Sequence, residues 1–217
     1  MQPVAHDAAM ALRRSIIREG TTPASFRARL ADVPARDRDA WLDLLWDSGD
    51  IPEDDPRLPR GCVPYLPCPV ETVVDALLHA AVTPDDVFVD VGSGLGRAAV
   101  LAHLFTGAGC IGLEIQPDLV QAARERAARL NLDRVGFIEG DAADLIGHVT
   151  VGTVFFLYCP FGGERLDRVL DELERIAQLR PIRICGVGLA RLDRPWLTPV
   201  PSTPVDLDVY RSTGHER

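Results

Sequence analysis

The sequence predicts an α/β fold, a doubly wound and mostly parallel sheet of seven strands, with an N-terminal helical extension. Two observations predict it. From about residue 84 onward, short runs rich in β-branched and aromatic residues alternate with longer segments whose apolar residues recur every three or four positions. This alternation is typical of a parallel sheet with helices on both faces, whereas the first 49 residues show only the helical period.

Three short helices are expected at the N-terminus. The first runs from Asp7 to Glu19, before a glycine that is suited to end a helix. The second opens at Thr22-Pro23, and the third starts within residues 32–34. Each has apolar residues on one face, so the three are expected to pack together.

The composition divides the chain into three parts. Residues 1–49 are expected to form the helical cap, and residues 50–61 a proline-rich, acidic linker. Residues 62–217 form the main domain. It opens with a proline-rich loop that cannot be helical, followed by a helix with one apolar stripe from Val70 to Ala81.

The centre of the main domain is a turn with three glycines. A β-rich run, Val87–Val91, is followed by Gly92, Gly94 and Gly96 and then by an alanine-rich helix. A dinucleotide fingerprint has the spacing Gly-x-Gly-x-x-Gly, but here arginine stands at the last glycine position. The strand also contains Asp90, which would repel a pyrophosphate but not the ammonium end of an amino acid.

Two further acids follow neighbouring strands. Glu114 lies at the end of the strand predicted at 110–115, where such acids bind ribose hydroxyls. Asp141 follows the strand at 135–139, and its carboxylate is suited to receive an adenine amino group. Because parallel strands end at one edge of the sheet, these acids predict one adenosine-shaped crevice.

The rest of the chain completes the sheet. Buried strands are predicted at 153–158 and 182–187, with a helix over 166–177 between them. Only about thirty residues remain after the fifth strand, too few for another helix and two strands. We therefore expect an antiparallel hairpin, with strands at 196–200 and 205–211.

Four segments together resemble the class I, or seven-strand, S-adenosylmethionine-dependent methyltransferases over residues 64 to 211. They are Pro64-Tyr65-Leu66-Pro67, Asp90-Val91-Gly92-Ser93-Gly94-Leu95-Gly96-Arg97, Gly112-Leu113-Glu114-Ile115-Gln116-Pro117 and Val154-Phe155-Phe156-Leu157. Within that superfamily, the combination is most similar to the non-SET protein lysine methyltransferases. Two branches are meant: the enzymes acting on the ATP synthase c subunit and the histone enzymes linked to telomeric silencing.

The resemblance implies a Rossmann-like methyltransferase fold, S-adenosylmethionine as methyl donor and S-adenosylhomocysteine as product. No metal is expected, because the sequence lacks clustered Asp and Asn ligands near the fourth strand. The residues that it assigns to the cofactor are Tyr65, Glu71, Asp90, Gly92, Ser93, Gly94, Gly96, Glu114, Ile115, Asp141 and Ala142. Tyr65 would face the methionine part, or alternatively pack under its own loop. The N-terminal helices would supply substrate contacts or a lid, or simply cover the sheet.

The resemblance also singles out the loop Tyr158-Cys159-Pro160-Phe161 as facing the substrate. These four residues are the catalytic candidates, with the rings of Tyr158 and Phe161 as walls around a neutral amine. The loop partly matches the (Asn/Asp)-Pro-Pro-(Tyr/Phe) motif of methyltransferases that act on adenine and glutamine amides. Tyr158 replaces the Asn or Asp and Cys159 the first proline, which disfavours nucleic-acid and amide acceptors. As alternatives, Cys159 and Phe161 are packing residues.

The composition argues against several classes of protein. The net charge of −9 argues against generic nucleic-acid binding, and no apolar run is long enough for a membrane span. Five cysteines without a Cys-x-x-Cys pair indicate neither a disulfide framework nor a zinc site. We expect a cytoplasmic protein. All 23 basic residues are arginine, which reflects either coding bias or avoidance of self-methylation.

The leading functional hypothesis is methyl transfer to an amine, that of a protein lysine. A small-molecule N- or O-methyltransferase is the alternative, in which the N-terminal helices roof a compact pocket. The third hypothesis is an interaction protein that binds S-adenosylmethionine without turnover. The methyl acceptor is accordingly a protein or a small molecule.

Overall fold

The computed structural model describes residues 3–47, 49–159, 161–202 and 206–213. Eight α-helices lie in this part of the chain: α1 (Pro3–Glu19), α2 (Pro23–Ala31), α3 (Arg38–Trp46), α4 (Val70–His79), α5 (Arg97–Thr106), α6 (Pro117–Arg129), α7 (Ala142–Leu145) and α8 (Glu164–Leu179). The strands are β1 (Val87–Val91), β2 (Gly109–Glu114), β3 (Val135–Glu139), β4 (Val154–Tyr158), β5 (Arg183–Val187), β6 (Leu197–Val200) and β7 (Leu207–Ser212).

The seven strands form one sheet in the order β3-β2-β1-β4-β5-β7-β6. The first five are parallel, and β7 runs antiparallel between β5 and β6. The predicted fold class and C-terminal hairpin are confirmed, although Val205, where the last strand was expected to begin, lies outside the described residues. The strand order reverses between β1 and β4, so a crevice opens there at their carboxyl ends.

The sheet separates two apolar layers. Alternate residues of β1 show why: Phe88 packs with α1–α6 on one face, and Val89 with α7 and α8 on the other. Trp41 and Trp46 of α3 are almost completely buried in the first layer. The N-terminal helices therefore share a core with the sheet; the division at residues 49 and 61 stays a prediction.

The third helix begins later than predicted. A 3-10 turn (Ala35–Asp37) precedes α3, because Pro34 is extended and disfavours helix in the residue before it. The helix after the proline-rich loop is also shorter, since Ala81 adopts a positive φ of 49°. None of the described helices is long and apolar enough to cross a membrane.

The segment from Asp54 to Cys68, here called the strap, crosses the carboxyl edge of the sheet. Its backbone pairs with the loop after β4 through an antiparallel bridge between Cys62 and Phe161. The amide of Asp55 donates to the side chain of Gln116, which follows β2. Part of the predicted linker thus lies against the crevice.

Candidate functional site

A cleft of about 850 Å³, open to solvent on one side, lies at the carboxyl ends of β1, β2 and β4. Twelve of the predicted site residues line it: Tyr65, Asp90, Gly92, Ser93, Gly94, Glu114, Ile115, Asp141, Ala142, Tyr158, Cys159 and Phe161. Pro160 lies outside the described residues. Residues predicted from five separate parts of the chain therefore line one cavity.

The glycine turn is fixed to the neighbouring strand by its backbone. The amides of Gly92 and Ser93 both donate to the carbonyl of Leu113, each at 2.9 Å. Gly92 and Gly94 have φ values of 81° and 52°, which favour glycine. A Cβ on Gly94 would overlap the ring of Tyr65, so the absence of a side chain permits this close contact.

Asp90 is a buried carboxyl group facing the cleft. Its pKa is raised to about 7: desolvation is the largest cause, a hydrogen bond from the Ala99 amide opposes it, and the nearby Glu114 adds to it. Burial without a cation thus favours the protonated form. A cationic ligand in the cleft would reverse this preference.

Glu114 is held by two backbone amides. Gly94 donates to Oε2 at 2.8 Å and Gln116 to Oε1 at 2.9 Å. Burial nevertheless raises the pKa of Glu114. A carboxylate has about four acceptor positions, so this oriented group retains capacity for a pair of hydroxyls.

Asp141 has two structural partners as well as its place in the cleft. It is the N-cap of α7, where Oδ1 accepts the Ala143 amide at 3.0 Å, and Oδ2 pairs with Arg165. Ala142 lies beside it in the lining. The ion pair keeps this carboxylate oriented at the cleft edge.

Tyr158 and Phe161 flank the end of β4, the former half-buried and the latter buried. Between them Cys159 has a positive φ of 42°, which is strained for a residue with a side chain. Its thiol donates to the Val187 carbonyl at 3.1 Å and lies against Gly188, where a Cβ would collide with it. Burial raises the pKa of Cys159, so the thiol is anchored and little ionised.

Comparison with known proteins identifies the family. Residues 83–176 match a family model described as a methyltransferase domain. The chain is 30% identical to an RNA methyltransferase from Salinibacter ruber, crystallised with S-adenosyl-L-homocysteine, over 70% of this chain and 95% of that one, with a TM-score of 0.50. The chain belongs to the class I S-adenosylmethionine-dependent methyltransferases.

Two other solved structures share the fold of this methyltransferase. A putative methyltransferase, yhhF from Escherichia coli, is 18% identical over 70% of this chain and 91% of its own, with a TM-score of 0.54. A putative caffeoyl-CoA O-methyltransferase from Staphylococcus aureus is 13% identical over 70% and 86%, with a TM-score of 0.51. The family supports an enzyme over a binding protein without turnover; the narrower resemblance to lysine methyltransferases stays a prediction.

The cleft fits S-adenosylmethionine by its chemistry. Asp90 is a buried acid whose pKa is raised and which a cationic amino-acid end would stabilise in its ionised form. Glu114 is prearranged with spare acceptor positions. Among the described residues, no group of three or more His, Cys, Asp or Glu is arranged to hold a metal.

Two predicted cofactor residues are not part of the cleft lining. Glu71 lies in the first turn of α4 but pairs with Arg38 of α3 at 2.7 Å and is half exposed. Gly96 is the N-cap residue just before α5, and its missing Cβ makes room for the ring of Phe137 on β3. Both positions serve contacts between elements, which the local motif did not reveal.

Sequence reasoning placed the loop with Tyr65 at the cofactor, but it missed the preceding part of the strap and gave no role to Arg97. This guanidinium is buried and donates to the Cys68 carbonyl at 3.0 Å and to Asp39 at 2.7 Å, while Asp43 lies 3.2 Å away. The only signal was the arginine directly after the last glycine. It connects α3, the strap and the glycine turn.

Proposed function

We propose that this methyltransferase transfers the methyl group to the amine of a protein lysine. The observation that carries the proposal is the charge of the cleft: its lining includes Asp90, Glu114 and Asp141. The lining residue Arg97 is already paired with two acids of α3. The three acids would face the cofactor, so the charge of the lining disfavours a polyanionic acceptor rather than binding the lysine itself.

The cofactor would be held along the carboxyl ends of β1 to β3. Asp90 and the glycine turn would bind its methionine end, Glu114 its ribose, and Asp141 with Ala142 its adenine. When bound, S-adenosylmethionine supplies an electrophilic methyl group for an in-line displacement. The protein then has to align the nucleophile and exclude water, because little covalent assistance is needed.

The acceptor would enter beside Tyr158 and Phe161. A lysine amine has an ordinary pKa near 10.4 and must lose a proton before it attacks. Desolvation between the two rings lowers that pKa, because an apolar environment disfavours the ammonium form. The half-buried, hydrogen-bonded thiol of Cys159 is placed to shape the loop rather than to act as a nucleophile.

The rim of the cleft fits a polypeptide. Val63 and Leu66 of the strap line the cleft, yet they are 45% and 56% exposed. Apolar residues at the mouth of a site are suited to contacts on either side of an acceptor side chain. A small metabolite enclosed in the cleft would not need them.

RNA is the second candidate acceptor. The specific observation is the 30% identity to an RNA methyltransferase over almost the whole of that protein. The net charge of −9 and the loop that begins Tyr158-Cys159 weigh against it, since phosphate binding draws on clustered basic residues. The experiment below separates the two.

The test is a labelling experiment with S-adenosylmethionine that carries a radioactive methyl group, added with the protein to a host lysate. We expect label in discrete bands that protease removes and ribonuclease does not, and methyl-lysine after acid hydrolysis. The chain contains no lysine, so it cannot contribute methyl-lysine itself. Glu114→Ala is the inactive control. Label that disappears with ribonuclease would support RNA, and label only in small molecules would reject both macromolecular acceptors.

A further inference from the structure

Gln116 lies between β2 and α6, two residues after the strand ends at Glu114. It is the N-cap residue of α6, but its side chain makes no capping hydrogen bond. Short side chains such as Ser, Thr, Asp and Asn usually fill this position, because they can reach the first helical amides. The side chain of Gln116 is instead buried and turned toward the strap.

Both ends of the Gln116 amide are hydrogen-bonded to the strap. Nε2 donates to Oδ1 of Asp54 at 2.8 Å, and Oε1 accepts the backbone amide of Asp55, also at 2.8 Å. A carboxylate can only accept and a backbone amide can only donate, so the two partners fix the orientation of the side-chain amide. The bond to Asp54 involves a charged acceptor and is therefore of the stronger kind.

These bonds belong to a closed ring of contacts around the cleft. Oδ1 of Asp54 also accepts the amide of Tyr65 at 2.9 Å, and the Tyr65 ring packs on Gly94. Gly94 in turn donates to Glu114, and the backbone amide of Gln116 donates to the other oxygen of the same carboxylate. Each member of the ring thus restrains the next.

We infer that Gln116 is a positioning residue that fastens the strap over the cofactor. Through Asp54 it holds Tyr65 against the glycine turn, and through its own backbone it orients Glu114. The inference rests on the cofactor placement proposed above. It implies that exchange of cofactor for product requires the strap to separate from Gln116.

Trypsin provides a direct measure of strap separation. The strap contains Arg57, which is 87% exposed, and Arg60, and neither is followed by proline. Cleavage after these arginines needs the local backbone to leave the protein surface, so its rate follows the population of the open strap. We expect S-adenosylhomocysteine to slow this cleavage in the unaltered protein.

Gln116→Ala should speed strap cleavage without ligand and weaken S-adenosylhomocysteine binding about tenfold or more, because two strap contacts are lost. Gln121→Ala is the matched control: Gln121 is an exposed residue of α6 whose side chain donates to Glu125 on the same helix. That variant should behave as the unaltered protein does. Calorimetry measures the affinity, and thermal unfolding without ligand shows whether each variant is folded.

Exchanging the carboxylate and the amide between positions 54 and 116 tests whether Gln116 fastens the strap or has only a general structural role. Gln116→Glu sets two carboxylates against each other and should open the strap further than alanine does. Adding Asp54→Asn to Gln116→Glu again pairs one carboxylate with one amide. This double variant should recover both the affinity for S-adenosylhomocysteine and the protection of the strap from trypsin. Unchanged cleavage and affinity in Gln116→Ala, or no recovery in the swap, would overturn the inference. Failure of the unaltered protein to bind S-adenosylhomocysteine would instead reject the cofactor placement, while cleavage without ligand still tests the fastening.

Discussion

The buried carboxyl of Asp90 makes cofactor affinity depend on pH. Its pKa is raised to about 7 by desolvation, so the unliganded protein holds this group largely protonated in mild acid. Binding a cationic methionine end requires the ionised form. Affinity for S-adenosylhomocysteine should therefore rise with pH until the carboxyl is ionised before binding.

The magnitude follows from the fraction of ionised Asp90. With a pKa of about 7, roughly three quarters is ionised at about pH 7.5 and roughly 3% at about pH 5.5, so affinity should fall about 25-fold between them. The contribution of Asp90 to the stability of the unliganded protein has the opposite dependence on pH. A raised pKa in the folded state contributes stability that is complete below the ordinary value of 3.8 and is lost as pH rises through about 7.

Calorimetry with S-adenosylhomocysteine at several pH values is the assay. Asp90→Asn should abolish this pH dependence and weaken binding about tenfold or more at neutral pH, since the charge partner is gone. Asp144→Asn is the matched control, because Asp144 is an exposed acid whose partner is Arg168 on the surface. A flat profile in the unaltered protein, or the same slope in Asp90→Asn, would refute the assignment.

Two further substitutions test packing. In Gly94→Ala the new Cβ would overlap the ring of Tyr65, and the positive φ of this residue disfavours alanine. Calorimetry should therefore show that S-adenosylhomocysteine binds about tenfold or more weakly. Gly136→Ala is the control: its Cβ would point into open space on β3, so this variant should bind normally. Trp41→Ala should lower the free energy of unfolding, measured by urea titration, by about 3–5 kcal/mol, because the side chain is 1% exposed. Arg36→Ala, a change at the surface, is the control. If Trp41→Ala lowers the free energy of unfolding no more than Arg36→Ala does, the N-terminal helices do not share a core with the sheet.

The local pattern was sufficient wherever structure depends on neighbours in sequence. The glycine turn and the parallel strands follow from the spacing of glycines and β-branched residues, and the hairpin followed from the length of chain that remained. Glu71 shows the limit: its helix was predicted, but its partner Arg38 lies 33 positions earlier. Nothing near Gly96 in the sequence indicates that its missing Cβ makes room for the ring of Phe137; its assignment to the cofactor stays a prediction.

The attachment of the strap was beyond the reach of local patterns, although the loop with Tyr65 was expected at the cofactor. Prolines and acids in residues 50–61 indicated an extended linker, and the chain there is indeed not helical. The strap is fastened by Gln116, which bonds Asp54 across 62 positions of the sequence. A hydrogen bond between distant side chains leaves no periodic trace in a sequence, so only the fold reveals it.

The same long-range contacts bear on whether the N-terminal helices move. Trp46 of α3 donates from Nε1 to the Leu95 carbonyl, within the glycine turn, at 3.0 Å. Arg97 is 6% exposed and depends on Asp39 and Asp43 of that helix for its charge partners. Withdrawing α3 would leave a buried guanidinium unpaired, at a cost of about 3–5 kcal/mol. The strap is joined to Gln116 by two hydrogen bonds, so we expect cofactor exchange to proceed by movement of the strap over a fixed helical cap.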